Sequence, residues 1–188
     1  MVLKDIIIDT ATMLKLDAVL ALPEIGGDAE DEQAQKDLDL IKKCINLTLN
    51  EIASDYIPLN YVQDVLVADG KIPYTALNKT ALKIKSIKDD KGKDCFFKVY
   101  PSYIYTDCEG NCEIEYCYIP AQVEELDQVI ENDPKVTSRL IAYGAAREYC
   151  LVMSMYEEAQ SFDSRYKQTL QNIASQNTVL KIPKRLWR

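Results

Sequence analysis

A chain of 188 residues with 47% hydrophobic and 28% charged side chains can bury a sizeable core and has the composition of an ordinary folded protein. Its net charge of −8 argues against a body that grips a nucleic-acid phosphate backbone, and no uncharged run approaches the roughly 18–20 residues of a membrane span. Histidine is absent, which removes the commonest general base, the Ser–His and Cys–His nucleophile pairs and the histidine metal ligands.

In chain order, Leu3, Ile7, Ala11, Leu14, Ala18 and Leu22 recur at steps of three and four, so an amphipathic helix is expected over about 2–21. Asp5, Asp9 and Asp17 inside it are wrong for a secretory signal and point to a cytosolic site of synthesis. PEIGGDAEDE reads as an acidic loop. Leu38, Ile41, Ile45, Leu49, Ile52 and Tyr56 then set out a second helix over about 34–56, stopped by Pro58.

From Tyr61 the pattern alternates. VQDVLVADGKIPYTAL holds a turn at Ala68-Asp69-Gly70-Lys71 between two extended pieces. In ALKIKSIKDDKGK, Leu82, Ile84 and, after a slip, Ile87 oppose Lys83, Lys85 and Lys88, as in a half-buried strand whose lysines guard an edge. CFFKVYPSYIYTDCEGNCEIEYCYIP supplies two or three more strands. A small antiparallel sheet of about five strands is therefore expected over about 61–120.

Between 137 and 173, Ile141, Ala145, Tyr149, Val152, Tyr156, Ala159, Phe162, Tyr166, Leu170 and Ile173 share one helical face, widened by Leu140, Gly144, Leu151 and Met155. Asp133 is placed to cap this helix and Pro134 to open it. An unbroken helix over about 134–174 would be roughly 60 Å long, against about 40 Å for a globule of this chain length. Either it breaks near Ser154 to Tyr156 or it projects into an assembly. Residues 176–188 read as an extended tail. The expected fold is α+β, a helical bundle with a long C-terminal helix or helix pair and an inserted small antiparallel β-sheet, in a single domain over 1–188.

No catalytic constellation emerges, since the carboxylates lie in solvated runs or on outward helix faces. Six cysteines in a cytosolic chain are most simply reduced thiols, with Cys44 and Cys150 as small core residues. Cys95, Cys108, Cys112 and Cys117 could supply four thiolates to zinc, but Cys95 has no near partner and an odd spacing sends Cys112 and Cys117 to opposite strand faces. Neither a metal nor a cofactor is expected. The run FFKVYPSYIYT could stack single-stranded nucleic acid, but aromatic residues are also favoured in strands. In the tail, Val179, Leu180, Ile182, Leu186 and Trp187 lie among Lys181, Lys184, Arg185 and Arg188, and no carboxylate side chain follows Asp163. Such a segment either packs on the chain's own helices or enters a partner groove with Trp187 as anchor.

The segments LIAYGAAREYCLVMSMYEEAQSFDSRYKQTLQ and KIPKRLWR, with YIPLNYVQDVLVADGKIPY and CEIEYCYIPAQVEEL ahead of them, resemble the head-to-tail adaptor (connector) proteins of tailed bacteriophages. The likeness covers nearly the whole chain, in packing patterns rather than catalytic signatures. It departs from the family at Ser154-Met155-Tyr156, where a Gly or Asp usually separates two C-terminal helices. The resemblance implies a non-enzymatic virion protein, made in the host bacterial cytoplasm and placed at the neck between capsid and tail. It implies a homo-oligomeric ring, commonly of twelve copies, that joins the portal protein to a tail or tail-completion protein. DNA would pass through its channel without sequence-specific binding, and no membrane is involved. The implied portal-binding residues are Lys181, Ile182, Pro183, Lys184, Arg185, Leu186, Trp187 and Arg188. The competing expectation is a cytosolic zinc-binding or peptide-binding regulatory module built on the cysteine-bearing β region.

Overall fold

The computed structural model describes residues 1–27 and 31–177. The chain divides into two compact units. The first comprises Met1–Thr48, Glu125–Val129 and the residues from Pro134 onward; the second comprises Leu49–Glu124 and Ile130–Asp133.

The first unit is helical. Helix α1 spans Leu3–Leu14 and buries Leu3, Ile6, Ile7 and Ala11. Its N-cap, Val2, has no capping side chain. The free amides of Leu3 and Lys4 donate instead to the carbonyls of Gln128 and Leu126 at 3.1 and 3.0 Å. The helix stops at Lys15, which takes a left-handed conformation (φ 57°) while Leu16 N donates to Ala11 O. A separate short helix α2, Asp17–Leu20, follows, so the stretch over 2–21 is two helices rather than one. Helix α3, Glu32–Glu51, begins where Asp31 Oδ1 accepts from the amides of Gln33 and Ala34. It passes into a wider π-helical turn over Ile52–Tyr56, closed by Ile57 N donating to Ile52 O.

Helix α4, Ser138–Val152, is capped by Thr137, whose Oγ1 accepts from Leu140 N at 3.2 Å. Thr137, not Asp133, is therefore the cap, and the helix starts four residues later than expected from Pro134. Helix α5 spans Tyr156–Asn177. Between them the chain reverses through Ser154 at φ 59°, with Met155 N donating to Cys150 O at 2.8 Å. The two helices pack against each other as a hairpin, and α1 packs on α4.

The second unit holds the strands β1 (Leu59–Val67), β2 (Lys71–Pro73), β3 (Ala81–Lys88), β4 (Phe97–Val99), β5 (Tyr103–Thr106) and β6 (Gly110–Tyr118). They form two antiparallel sheets of three strands, ordered β1-β6-β3 and β2-β5-β4. This corrects the expected fold class. The sheets are a major component of a mixed α and β chain, not a small insertion in a helical bundle. The short strands β2, β4 and β5 pair with one another instead of extending the first sheet. Ile72 and Ile104 from them join Ile87, Ile114 and Tyr116 in one buried cluster. Two sheets sharing a core bury more apolar surface than a five-stranded sheet with an open face.

The turns follow the sequence closely. Asp69 (φ 54°) and Gly70 (φ 65°) reverse the chain between β1 and β2 with both central residues left-handed. Asp89 Oδ1 accepts from Lys91 N and Lys93 N in the turn after β3. The β3–β6 register shifts between Ala81 and Lys83 and between Ile84 and Ser86, which is the slip seen in the alternation of that strand.

Candidate interaction surface

The apolar stripe predicted for one long helix is split by the reversal at Ser154. Ile141, Ala145 and Tyr149 on α4 and Ala159, Tyr166, Leu170 and Ile173 on α5 are buried as expected. The residues around the break are not. Leu151 is 45% exposed, Val152 59%, Met153 47% and Tyr156 68%. Val152 and Tyr156 are expected on the buried face and Leu151 at its margin; they stand instead in the last turn of α4 and the first turn of α5, at the end of the hairpin, where their side chains are left outside. Together they form a contiguous apolar tip on the helical unit.

Beside this tip lies a hollow of about 370 Å³ lined by Arg147, Glu148, Leu151, Tyr156, Ala159, Gln160 and Asp163. Its floor is held by Arg147, whose side chain is only 12% exposed. One Arg147 nitrogen donates to Glu148 Oε1 at 2.6 Å and another to Asp163 Oδ1 at 3.5 Å. The same group stands 4.8 Å from the centre of the Tyr166 ring. Lys167 engages the other Asp163 oxygen at 2.7 Å. Arg147 and Lys167 are thus committed within the hairpin, and Glu157 and Glu158 stand in the first turn of α5.

Deeper in this unit the titratable groups are set for packing rather than reaction. Burial pushes the Cys44 thiol up to about 12, with Glu148 and Cys150 adding to it. Burial likewise drives Tyr149 up to about 12, helped by the Asp37 carboxylate. Both stay protonated at neutral pH.

In the β unit the densest polar constellation surrounds Lys79. Its ammonium donates to Glu131 Oε2 at 2.5 Å and lies 4.2 Å and 5.3 Å from the ring centres of Tyr118 and Tyr61. Tyr118 Oη donates to the same carboxylate oxygen at 3.1 Å. Next to it, Tyr116 Oη donates to Gln63 Oε1 at 2.7 Å and accepts from Lys79 N at 3.2 Å. Gln63 further donates to Ala76 O and accepts from Asn78 N. Burial pushes both the Tyr116 and Tyr118 hydroxyls up. The cage is filled by the chain's own lysine, so it ties the 76–80 loop to the sheet.

The cysteines depart from the all-reduced expectation. Cys95 and Cys108 are joined in a disulfide with their Cα atoms 6.0 Å apart, while Cys44, Cys112, Cys117 and Cys150 are buried free thiols. The four sulfurs proposed for zinc are not gathered. Two are bonded to each other, Cys112 enters the β core, and the Cys117 thiol donates to Asn60 Oδ1 at 3.4 Å. In the aromatic run, Tyr100 and Tyr103 stack on one another at 5.0 Å under Lys98 and Lys71. Ile104 and Thr106 point into the core. The residues Lys181, Ile182, Pro183, Lys184, Arg185, Leu186, Trp187 and Arg188 lie outside the described residues.

Sequence reasoning missed the exposed tip and the Lys79 cage. The tip had a signal: Leu151, Val152, Met153, Met155 and Tyr156 crowd more apolar groups into one turn than a helix stripe can face inward. The cage had none, because Lys79 and Glu131 are 52 residues apart. Among the described residues no helix is long and apolar enough to cross a membrane. Neither a family model nor a curated protein matches this chain.

Proposed function

We propose that this chain is a structural subunit of a virion: a head-to-tail adaptor that forms a homo-oligomeric ring, continues the DNA channel below the portal and presents a platform to the tail. The observation that carries the reading is the exposed apolar tip at Leu151, Val152, Met153 and Tyr156. Contiguous apolar surface of this kind marks a site of association. It sits on a helical hairpin whose Arg147 and Lys167 are already paired with Glu148 and Asp163, which suits packing against protein better than chemistry on a small molecule.

Two further features support it. A ring of acidic bodies, each with net charge −8, repels DNA and lets it slide through a channel rather than adhere. A disulfide between Cys95 and Cys108 is unusual for a protein that stays in a reducing cytosol and natural for one that ends in a particle released from the cell. In this reading, Lys181 to Arg188 engage the portal ring, a cationic segment against a complementary surface.

The test is co-sedimentation of the purified chain with portal rings, followed by imaging of the pellet. The full chain is expected to travel with the portal and add a ring of density beneath it. Removal of residues 179–188 is expected to leave a folded protein that stays in the supernatant. Equal recovery of both forms with the portal would defeat the assignment.

A further inference from the structure

We infer that Cys95, Asp107 and Cys108 form a redox-gated metal site, which holds one zinc ion when the two cysteines are reduced and none when they are joined. The inference goes beyond the adaptor reading and does not rest on it, since it concerns three side chains at the end of one β-hairpin.

Three observations lead there. The first is that the hairpin, and not only the bond between the sulfurs, sets the two cysteines side by side. Strands β4 and β5 pair antiparallel with Phe97 opposite Thr106, Lys98 opposite Tyr105 and Val99 opposite Ile104. Continued beyond the strands, that register puts Cys95 opposite Cys108, and the amide of Asp107 still donates to Phe96 O at 3.2 Å. Cys95 is tied on its other side as well, its amide donating to Ile87 O on β3 at 2.8 Å. The 6.0 Å between the two Cα atoms is close to the ~5.5 Å of an ordinary hydrogen-bonded cross-strand pair. Reduction therefore leaves both thiols facing each other on anchored backbone.

The second is a third donor. Asp107 leaves the strand in a bend, and its Oδ1 comes to 3.9 Å from Cys108 Sγ. The two sulfurs and a carboxylate oxygen of Asp107 all lie within 4.8 Å of one another. Tetrahedral zinc with Zn–S of about 2.3 Å holds its ligand atoms roughly 3.5–4 Å apart, so side-chain rotation alone opens the pair to that spacing. A disulfide has no use for a carboxylate beside it. Two thiolates and a carboxylate present three negative charges to a divalent cation, and the thiolates select a soft one.

The third is access. Cys95 and Cys108 are half-buried and Asp107 is exposed, so a reductant and an ion can both reach the group. The other four thiols are buried, with Cys112 in the β core and Cys117 against Asn60. Zinc here would have three protein ligands and a fourth position left to water, which sets the site apart from a closed structural one.

The cycle balances. A dithiol gives two electrons and two protons to the Cys95–Cys108 bond, becomes a disulfide itself and leaves two thiols. Zinc then displaces the two thiol protons and binds both thiolates with the Asp107 carboxylate. A small-molecule disulfide takes the two electrons back, and the ion leaves as the sulfurs rejoin. In the adaptor reading, the pair holds an ion in the reducing cell and a disulfide in the released particle.

The test uses the full chain, reduced with a dithiol, freed of it in oxygen-free buffer and titrated with cobalt(II) and then zinc(II). One cobalt per chain is expected, with thiolate-to-cobalt charge-transfer absorption that an equal amount of zinc bleaches. The disulfide form should show neither, and zinc should slow re-formation of the bond by a small-molecule disulfide. Asp107→Asn, at an exposed position, should still form the disulfide yet bind cobalt at least about tenfold more weakly. Cys95→Ser should abolish the absorption. The inference is overturned if the reduced chain gives no stoichiometric charge-transfer band, if the disulfide form binds as well, or if Asp107→Asn binds as the parent does. Titration of the parent decides the matter even where a cysteine variant fails to fold. No portal is present, so these outcomes leave the adaptor assignment to its own test.

Discussion

Lys79 shows how a single side chain can hold two distant stretches together. Its ammonium has opposing influences. Burial alone would lower its pKa, but the hydrogen bonds to Glu131 and Tyr118 outweigh that and hold it above its ordinary 10.5. The hydrogen bond from Lys79 holds Glu131 below its ordinary 4.5 against the opposing effect of burial. The folded state thus gives up the Glu131 proton more readily than the unfolded chain. That contribution is complete above the ordinary carboxylate value and fades as pH falls through the folded one. For Lys79 the sense is reversed: its contribution is complete below 10.5 and fades as pH rises through the raised folded value. Glu131 is half exposed, so solvent limits the ion pair to under about 1 kcal/mol, and the ring contacts add a similar amount. Lys79→Met is therefore expected to cost about 1–2 kcal/mol in urea unfolding at neutral pH, and the deficit should shrink at both pH 3 and pH 11. A deficit that stays constant across that range would mean the ammonium contributes only its stem.

At the level of elements, the α4–α5 hairpin depends on one glycine and tolerates one misfit. A Cβ on Gly144 would collide with Thr48 Cγ2 and lie 2.9 Å from Thr48 Oγ1 and 3.0 Å from Tyr166 Cε2. Alanine is the better helix former by about 1 kcal/mol, but overpacking at a fully enclosed site costs about 1–3 kcal/mol. Gly144→Ala should therefore be net destabilising by up to about 2 kcal/mol in a chemical denaturation curve. Ser154 sits at φ 59° with no glycine to ease the turn. Ser154→Gly should relieve that strain and add about 0.5–1 kcal/mol, after allowance for the greater freedom of glycine in the unfolded chain. Opposite signs from two substitutions ten residues apart would be hard to obtain from anything but this turn. These two positions also show what the sequence could disclose. The helical period announced α4 and α5, and the length argument required either a break near Ser154 or a projection. What failed was the stripe at the break itself: a left-handed serine gives no compositional sign of where α4 stops, so Val152 and Tyr156, on either side of the turn, read as buried and are exposed. The β region failed differently. Its turns at Asp69-Gly70 and Asp89 to Gly92 were legible from residue type, since left-handed backbone and side-chain caps are local. Which strand pairs with which is not local, and three-residue strands such as Lys71–Pro73 carry too little pattern to choose a sheet.

For the molecule as a whole, the disulfide sets a boundary between two chemical environments. Cys95 and Cys108, 13 positions apart in the chain, close a loop that contains β4 and β5, two of the three strands of the second sheet. Among the described residues the other thiols are buried, and Cys44, Cys112 and Cys150 are held above their ordinary pKa chiefly by burial. A native chain should therefore react slowly with a thiol reagent at neutral pH. Denatured without reductant, it should expose four reactive thiols, and after reduction six. Six thiols without reductant would show that the pair is open in the purified protein. By chain entropy, reduction of a loop of this length removes up to about 3 kcal/mol. That loss should fall on the β unit: hydrogen exchange across Phe97–Val99 and Tyr103–Thr106 should quicken on reduction, while amides in α4 keep their protection. If the adaptor reading holds, the same chain is more pliant in the β region where it is made than in the particle where it serves. Protection factors with and without reductant measure that difference directly. A uniform loss of protection across both units would show that they unfold as one and that the disulfide stabilises the entire chain.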